Sequence, residues 1–222
     1  MITVILAALF LASPLAAEQF VEGTHFERIG SPSSAPDDRV EVTEAFAYPC
    51  PACRNFLPHI TSWEKKQPDY VEFDRLPIAL QQGWDLFARA YYTAEVMGLG
   101  EDAHEAVFKA LHDERRNVRT FADIAGIYSQ FDVTTESFIN TSESFAVDSR
   151  MRRNRTETVR YGVRQTPTVI VQGKWRLSPG GFNSYDQMLE VVDYLVRREA
   201  AELGLDENSA ADEIAASDDD GQ

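Results

Sequence analysis

The sequence predicts an α/β protein whose single sheet is interrupted by a helical insertion. Three observations carry this reading: strand-like runs at residues 40–47 and 71–77, a long block of helical periodicity at residues 86–161, and an apolar hairpin at 168–177 followed by one closing helix. With 222 residues, 44% of them hydrophobic and 11% aromatic, the chain can bury a full core as one domain or one domain with an insertion. No internal repeat is visible.

Residues 40–47 alternate β-branched and aromatic residues with polar ones, as a half-buried strand does. Cys50 follows directly, and then Phe56, Ile60 and Trp63 recur at helical spacing, so the strand feeds a helix with Cys50 near its first turn. Pro58 falls inside that helix and should kink it, because it removes a ladder hydrogen bond, and Gln67-Pro68-Asp69 ends it. Residues 71–77 read as the second strand, with Gln81-Gln82-Gly83 the turn out of it. In the helical block, residues 86–97, 103–111 and 121–128 repeat apolar side chains at helical spacing, broken by Gly98-Leu99-Gly100 and Asn117. A short helix begins at residues 134–138 and a longer one spans 143–161, with Gly162 as its stop. Thr168-Val169-Ile170-Val171 is a fully apolar strand that turns at Gln172-Gly173 into residues 174–177. The last helix runs from Ser184, a good N-cap, through Met188, Val191, Val192 and Leu195.

The termini and the charge narrow the function. Residues 1–17 form an apolar run broken by Ser13-Pro14 and ending in small residues before Glu18, the shape of an export signal, although no Lys or Arg precedes the apolar part. The alternative is a buried or interfacial N-terminal helix; Pro14 and the short length argue against a membrane span. If the run is a signal, the mature chain starts near Glu18 and works in an oxidising compartment. Residues 201–222 hold eight of the 36 acids and no Lys or Arg, with almost nothing to bury, which predicts a disordered acidic tail. A net charge of -15 argues against a protein that neutralises nucleic-acid phosphates or sits on an anionic membrane.

The chain has two cysteines, Cys50 and Cys53, in Cys50-Pro51-Ala52-Cys53 at the start of a helix. A disulfide closing so short a loop constrains the unfolded chain little, so a structural role is poorly motivated. A redox role is well motivated. The helix N-terminus offers unpaired N–H groups and a partial positive charge to Cys50, favouring the thiolate that acts in exchange. A helix terminus contributes about 0.3–1 kcal/mol, up to ~2 in good geometry, against ~1.4 kcal/mol for a pKa unit, so alone it moves Cys50 by about one unit. Stronger activation needs direct N–H to sulfur bonds or a cation, and Pro51-Ala52 supplies no charge. Cys53, deeper in the helix, suits the resolving role. Zinc is the rival, but no second Cys pair exists, and His25, His59, His104 and His112 show no ligand spacing relative to the first. Two reduced buried cysteines are the other alternative. Thr166-Pro167 stands immediately before an apolar strand, where X-Pro can take the cis form, although without the Cys pair an ordinary trans proline at a strand start would be the default.

Phe46-Ala47-Tyr48-Pro49-Cys50-Pro51-Ala52-Cys53, the helical block, and Gly162-Val163-Arg164-Gln165-Thr166-Pro167-Thr168 with Gly173-Lys174-Trp175 together resemble the DsbA family of thiol:disulfide oxidoreductases, over residues 19–198. The resemblance implies a thioredoxin fold with an inserted helical domain: a thioredoxin part at 18–80, the insert at 81–160, the second thioredoxin part at 161–200 and the tail at 201–222. It implies a periplasmic, monomeric enzyme without cofactor or metal, whose redox-active disulfide Cys50-Cys53 accepts electrons from reduced exported proteins through a mixed disulfide on Cys50 that Cys53 resolves. A DsbB-type membrane quinone-coupled partner would reoxidise it. By position, Thr166-Pro167 is similar to the cis-proline loop that holds substrate backbone, and Pro58 to the helix kink of the wider thioredoxin group. Glu44 and Arg75 match the buried acid and base that assist proton movement to Cys53; a plain strand salt bridge is the alternative.

One departure stands out. The best-known members carry His where this chain has Ala52, and a His there can stabilise the thiolate, so a weaker oxidant is expected. A reductase or isomerase of the same fold and a peptide-binding, chaperone-like module remain as alternatives, although only residues 19–38 precede the first clear strand and leave no room for a dimerisation domain. The stretch Arg150, Arg152, Arg153, Arg155, Arg160 and Arg164 reads as a solvated basic face or as a contact for acidic segments.

Overall fold

The computed structural model describes residues 20–30, 38–177 and 179–205. The apolar run at 1–17 and the acidic stretch beyond residue 205 lie outside the described residues. Among these, β1 (Glu27–Arg28), β2 (Val40–Phe46), β3 (Val71–Pro77), β4 (Thr168–Val171) and β5 (Trp175–Leu177) form one mixed sheet in the order β1-β5-β4-β2-β3. β2 runs parallel to β3 and antiparallel to β4, and β5 is antiparallel to both β4 and β1. Helix α1 (Pro51–Glu64) links β2 to β3. Then α2 (Asp85–Val96), α3 (Glu101–Phe108), α4 (Phe121–Tyr128), α5 (Thr135–Ser142) and α6 (Phe145–Arg160) intervene before β4, and α7 (Tyr185–Leu203) closes the chain. This is the single sheet interrupted by a helical insertion that the order of elements predicted, and the thioredoxin fold with an inserted helical domain that the resemblance implied.

Side-chain parity in the sheet decides what faces the cysteines. Val40 and Val42 of β2 pack with Val169 and Val171 of β4, with Phe56, Ile60 and Trp63 of α1, and with Met188, Val192 and Leu195 of α7. The opposite parity sends Ala45 and Ile170 to a second cluster with Leu76, Ile78, Tyr161 and Val163. Glu44 shares the parity of Val40 and Val42, so the pleat directs it towards α1. The register pairs it with Arg75 on β3, which has the same parity. A third cluster joins Phe46, Tyr48, Cys53 and Leu57 to the apolar faces of the insert, including Tyr92, Phe108, Ile124, Tyr128 and Phe138. The cysteine pair therefore sits on the seam between sheet and insert.

Local chemistry explains the element ends. Thr120 and Asp123 form a reciprocal capping box on α4, and Thr134, Ser144 and Ser184 each accept an N–H of the following first turn. The hairpin turns through positive φ at Gln172 (51°) and Gly173 (58°), with the Lys174 N–H donating to the Val171 carbonyl at 3.0 Å.

Three features differ from expectation. β1 is two residues long, too short for a periodic signal, and exists because Glu27 and Arg28 pair with Arg176 and Trp175. α3 does not continue as an α-helix to Leu111: residues Lys109–Asp113 form a π turn. The expected tail boundary at residue 201 is also too early. α7 runs through Leu203, and Gly204 at φ 70° caps it while the Leu205 N–H reaches the Ala200 carbonyl at 2.8 Å. Leu203 and Leu205 pack against the core, which is enough to hold this last turn among acidic neighbours.

Candidate active site

β2 ends at Phe46, and Ala47-Tyr48-Pro49 carries the chain to Cys50, the N-cap of α1, with extended backbone (φ -86°, ψ 115°) and Pro51 at the first helical position. The Cys50 N–H donates to the Ala47 carbonyl at 3.0 Å, and the Cys50 carbonyl accepts the Arg54 N–H at 3.2 Å. The two cysteines are unbridged. Cys50 keeps 9% of its surface exposed, whereas Cys53 keeps none.

The two sulfurs are driven in opposite directions. Cys50 is lowered from an ordinary 9.0 to about 5, first by the Cys53 thiol, which donates to it, and further by Thr166 and by the N–H groups of Cys53 and Ala52, against burial. The helix terminus alone cannot supply this drop; direct hydrogen bonds to the sulfur supply the remainder, and no cation is needed. Cys53 is pushed far up, chiefly by burial and then by the adjacent Cys50 sulfur, with the charge of Glu44 adding to the rise.

The Thr166-Pro167 peptide is cis, and the Thr166 carbonyl oxygen lies 3.4 Å from the Cys50 sulfur. Residues 116 positions apart thus meet at the outer of the two sulfurs. On the other side of the pair, the Tyr185 hydroxyl donates to the Ala52 carbonyl at 3.1 Å, tying α7 to the intervening dipeptide.

Beneath the pair lies a buried charge cluster. Glu44, 2% exposed, is raised to about 7 by burial, against the attraction of Arg75. Arg75 Nε sits 3.4 Å from Glu44 Oε2 but without hydrogen-bonding geometry, and both atoms are left without a partner. The terminal nitrogens of Arg75 instead grip Glu101 of α3 at 2.7 and 3.0 Å, with Glu64 of α1 at 3.6 Å. The alternatives for Glu44 and Arg75 thus merge: they are strand neighbours, in a cluster of three acids around one guanidinium.

The insert also holds the segment before Cys50. The Tyr48 hydroxyl lies 2.9 Å from His104 Nδ1, and His104 is kept neutral, well below its ordinary value, by burial and then by Arg75. The neutral ring and the Tyr48 hydroxyl share one hydrogen bond through Nδ1. His112, in the π turn, lies with Nε2 2.7 Å from the Tyr48 carbonyl oxygen and donates to it, and the next residue, Asp113, pairs with Arg54 of α1 at 2.5 Å. Sequence reasoning considered these histidines only as metal ligands and passed over Glu64, Glu101 and Tyr185 altogether. His59 points instead to Asp186 of α7 at 2.7 Å. In the basic stretch, Arg150 pairs with Glu95 and Arg153 with Glu157, so part of that face is neutralised by neighbouring acids.

Residues 72–193 match the family model described as a DSBA-like thioredoxin domain. The chain is 33% identical over 186 residues to the thiol:disulfide interchange protein DsbA of Pseudomonas aeruginosa, covering 83% of this chain and 88% of that one. It is 32% identical to the Burkholderia cepacia protein of the same name, over 86% of this chain and 90% of the other. The crystal structure of Pseudomonas aeruginosa DsbA superposes with a TM-score of 0.78 at 33% identity, over 84% of this chain and 97% of that one. A sheet-and-insert architecture, a cysteine pair at a helix N-terminus and these likenesses agree: the chain belongs to the DsbA family of thiol:disulfide oxidoreductases.

Proposed function

We propose that Cys50 and Cys53 are the redox-active pair with which this enzyme introduces disulfides into exported proteins, and that Cys50 is the sulfur attacked by substrate. The observation that carries this is the split between the sulfurs: one partly exposed and held near 5, the other buried and pushed up. A substrate thiolate attacks Cys50 Sγ of the oxidised enzyme, the Cys50–Cys53 bond breaks, and Cys53 leaves with the bonding pair and takes a proton, for which the Glu44 carboxyl is the donor in this reading. A second substrate thiolate then attacks the substrate sulfur of the mixed disulfide. Cys50 departs as a stable thiolate, and the substrate is oxidised by two electrons. In reoxidation Cys50 attacks an oxidant disulfide, and Cys53, losing its proton to Glu44, resolves the mixed disulfide.

The Thr166-Pro167 loop, beside the Cys50 sulfur, is the substrate contact in this reading, its backbone available to an extended peptide. Arg75 supports Glu44 on the adjacent strand. The apolar run at 1–17 supports export to the periplasm, and the reoxidant is a DsbB-type membrane partner acting on the monomer. No helix of the described residues is long and apolar enough to cross a membrane.

Single-cysteine variants test the assignment. Cys53→Ser should capture a reduced substrate peptide presented with an oxidant as a stable mixed disulfide through Cys50, and Cys50→Ser should capture none and lose turnover. Capture through Cys53 in the Cys50→Ser protein would overturn the roles, and full activity of Cys50→Ser would favour a peptide-binding module.

A further inference from the structure

The charge cluster beneath the cysteines is unbalanced in a specific way. Among the described residues, Arg75 is the one cation that Glu44, Glu64 and Glu101 share, and its hydrogen bonds go to Glu101, which the Thr61 hydroxyl also holds at 3.1 Å. A guanidinium binds a carboxylate best through two parallel N–H groups. Glu101, arriving from the first turn of α3, occupies that fork, and Glu44 is left with the side-on Nε contact and an unpartnered oxygen.

We propose that Glu101 is a positioning residue for the redox reaction: by taking both terminal nitrogens of Arg75 it keeps the guanidinium from neutralising Glu44, and so leaves Glu44 able to hold a proton for Cys53.

The inference rests on the reading of Glu44 as the proton partner of Cys53. The proton balance is simple: when the Cys50–Cys53 bond opens, the Cys53 sulfur takes the proton from the Glu44 carboxyl, and when the bond closes the same proton returns to the Glu44 carboxylate. A carboxyl locked in a bidentate pair with Arg75 would stay ionised at neutral pH and could not serve the first half of this cycle. Among the groups that face Glu44 the signs differ: burial favours its protonated form most, Arg75 opposes this, and Glu101 and Glu64 favour the protonated form again. Cys53 is coupled to it from α1, and Tyr91 of α2 adds to the field around Arg75. Glu101 also ties the tuning of a sheet carboxylate to the insert, since α3 delivers it.

The test is carbon-13 NMR titration of the Glu44 carboxyl in the oxidised protein, where neither thiol titrates, assigned by loss of the signal in E44Q. The wild-type signal should titrate near neutrality. In E101Q, Arg75 is released to Glu44, and the midpoint should fall by about one pH unit or more. The pH limb of mixed-disulfide opening, followed by stopped flow, should move down by the same amount. Should E101Q fold poorly, Thr61→Val loosens Glu101 and should give a smaller shift in the same direction. A wild-type midpoint in the ordinary carboxylate range, or no movement in E101Q, overturns the inference. If E44Q slows the Cys53 step while E101Q shifts nothing, the inference fails alone; if E44Q changes no rate at any pH, the Glu44 reading fails and takes it down as well.

Discussion

The stability of the reduced enzyme relative to the oxidised one should rise with pH, by an amount that the Cys50 thiolate sets. The reduced protein holds Cys50 near 5 against an ordinary 9.0, and the oxidised protein has no thiol there to titrate. Because the folded value lies below the unfolded one, the thiolate's contribution is complete above the unfolded value and disappears as pH falls through about 5. At pH 7 the two values differ in protonation by about 2 log units, or ~2.7 kcal/mol. Solvent screening at a sulfur on the rim of the protein reduces this to roughly half, ~1.3 kcal/mol. Glu44 and Asp74, both raised by burial, act on the two redox states alike and cancel in the difference. Cys53, pushed up in the folded state, is neutral in both folded and unfolded chains below about pH 8 and adds nothing in that window. Urea unfolding of reduced and oxidised protein from pH 4.5 to 8 measures the difference directly. It should grow in favour of the reduced form from pH 5 upward and flatten below. At pH 7 the same free energy makes the enzyme more oxidising by ~30 mV than one with an ordinary thiol, since 30 mV is about 1.4 kcal/mol for two electrons. A difference that stays flat from pH 5 to 8 would refute the account of Cys50.

Ala52→His places a titratable cation beside the Cys50 sulfur and should raise the potential by roughly 30 mV for each unit its pKa falls; equilibration with glutathione buffers reads this, and an unchanged or lower potential refutes it. Glu199 is fully buried and accepts from Lys174 at 2.5 Å and from the Trp175 indole at 2.6 Å, so Glu199→Ala should cost about 3–5 kcal/mol by urea unfolding and leave the Cys50 titration unmoved. Phe138, fully buried and stacked on Tyr128 at 4.3 Å, should cost about 3–5 kcal/mol as Phe138→Ala, measured in the same way; a loss below ~1 kcal/mol would mean that the insert core collapses onto the gap. His112→Leu strips the donor from the Tyr48 carbonyl and should cost about 1–3 kcal/mol; no loss would show that contact to be idle.

What the sequence disclosed followed periodicity. The strand at β2, the Cys pair at a helix start and the hairpin after Pro167 each leave a local pattern, and each is where the pattern put it. Glu44 and Arg75 were legible by resemblance, and the parallel register of β2 and β3 sets them opposite each other. Glu101 was not, because it reaches Arg75 from a different helix, and spacing along the chain carries no information about that encounter. The depth of the Cys50 shift was also hidden: the Cys53 thiol and the local N–H groups that cause it are fixed by side-chain geometry, not by the residue types at Pro51 and Ala52. The C-terminal boundary failed for a third reason, since a composition count across the tail outweighed two leucines, Leu203 and Leu205, that the core could still reach.

His104 and His112 show how a small irregularity builds the site. In a continuous α-helix each residue turns by about 100°, so two residues eight apart lie roughly 80° out of line, and both could not meet Tyr48. The π turn at Lys109–Asp113 changes this. Its wider i→i+5 closure advances each residue by roughly 80°, which returns His112 to the face that His104 occupies. One histidine then takes the hydroxyl of Tyr48 and the other its carbonyl, and Asp113, next in the turn, is carried to Arg54 on the far flank of the cysteines. Residues 101–113 therefore reach three places around the redox pair: Arg75 beneath it, Tyr48 before it and Arg54 after it. The sheet and α1 supply the sulfurs and the helix terminus; this one segment of the insert fixes the approach of the chain to Cys50 and the charge balance under Cys53. Such a division fits an insertion that enters after β3, the strand that carries Arg75, and brings Glu101 at the start of α3 to Thr61 of the cysteine helix.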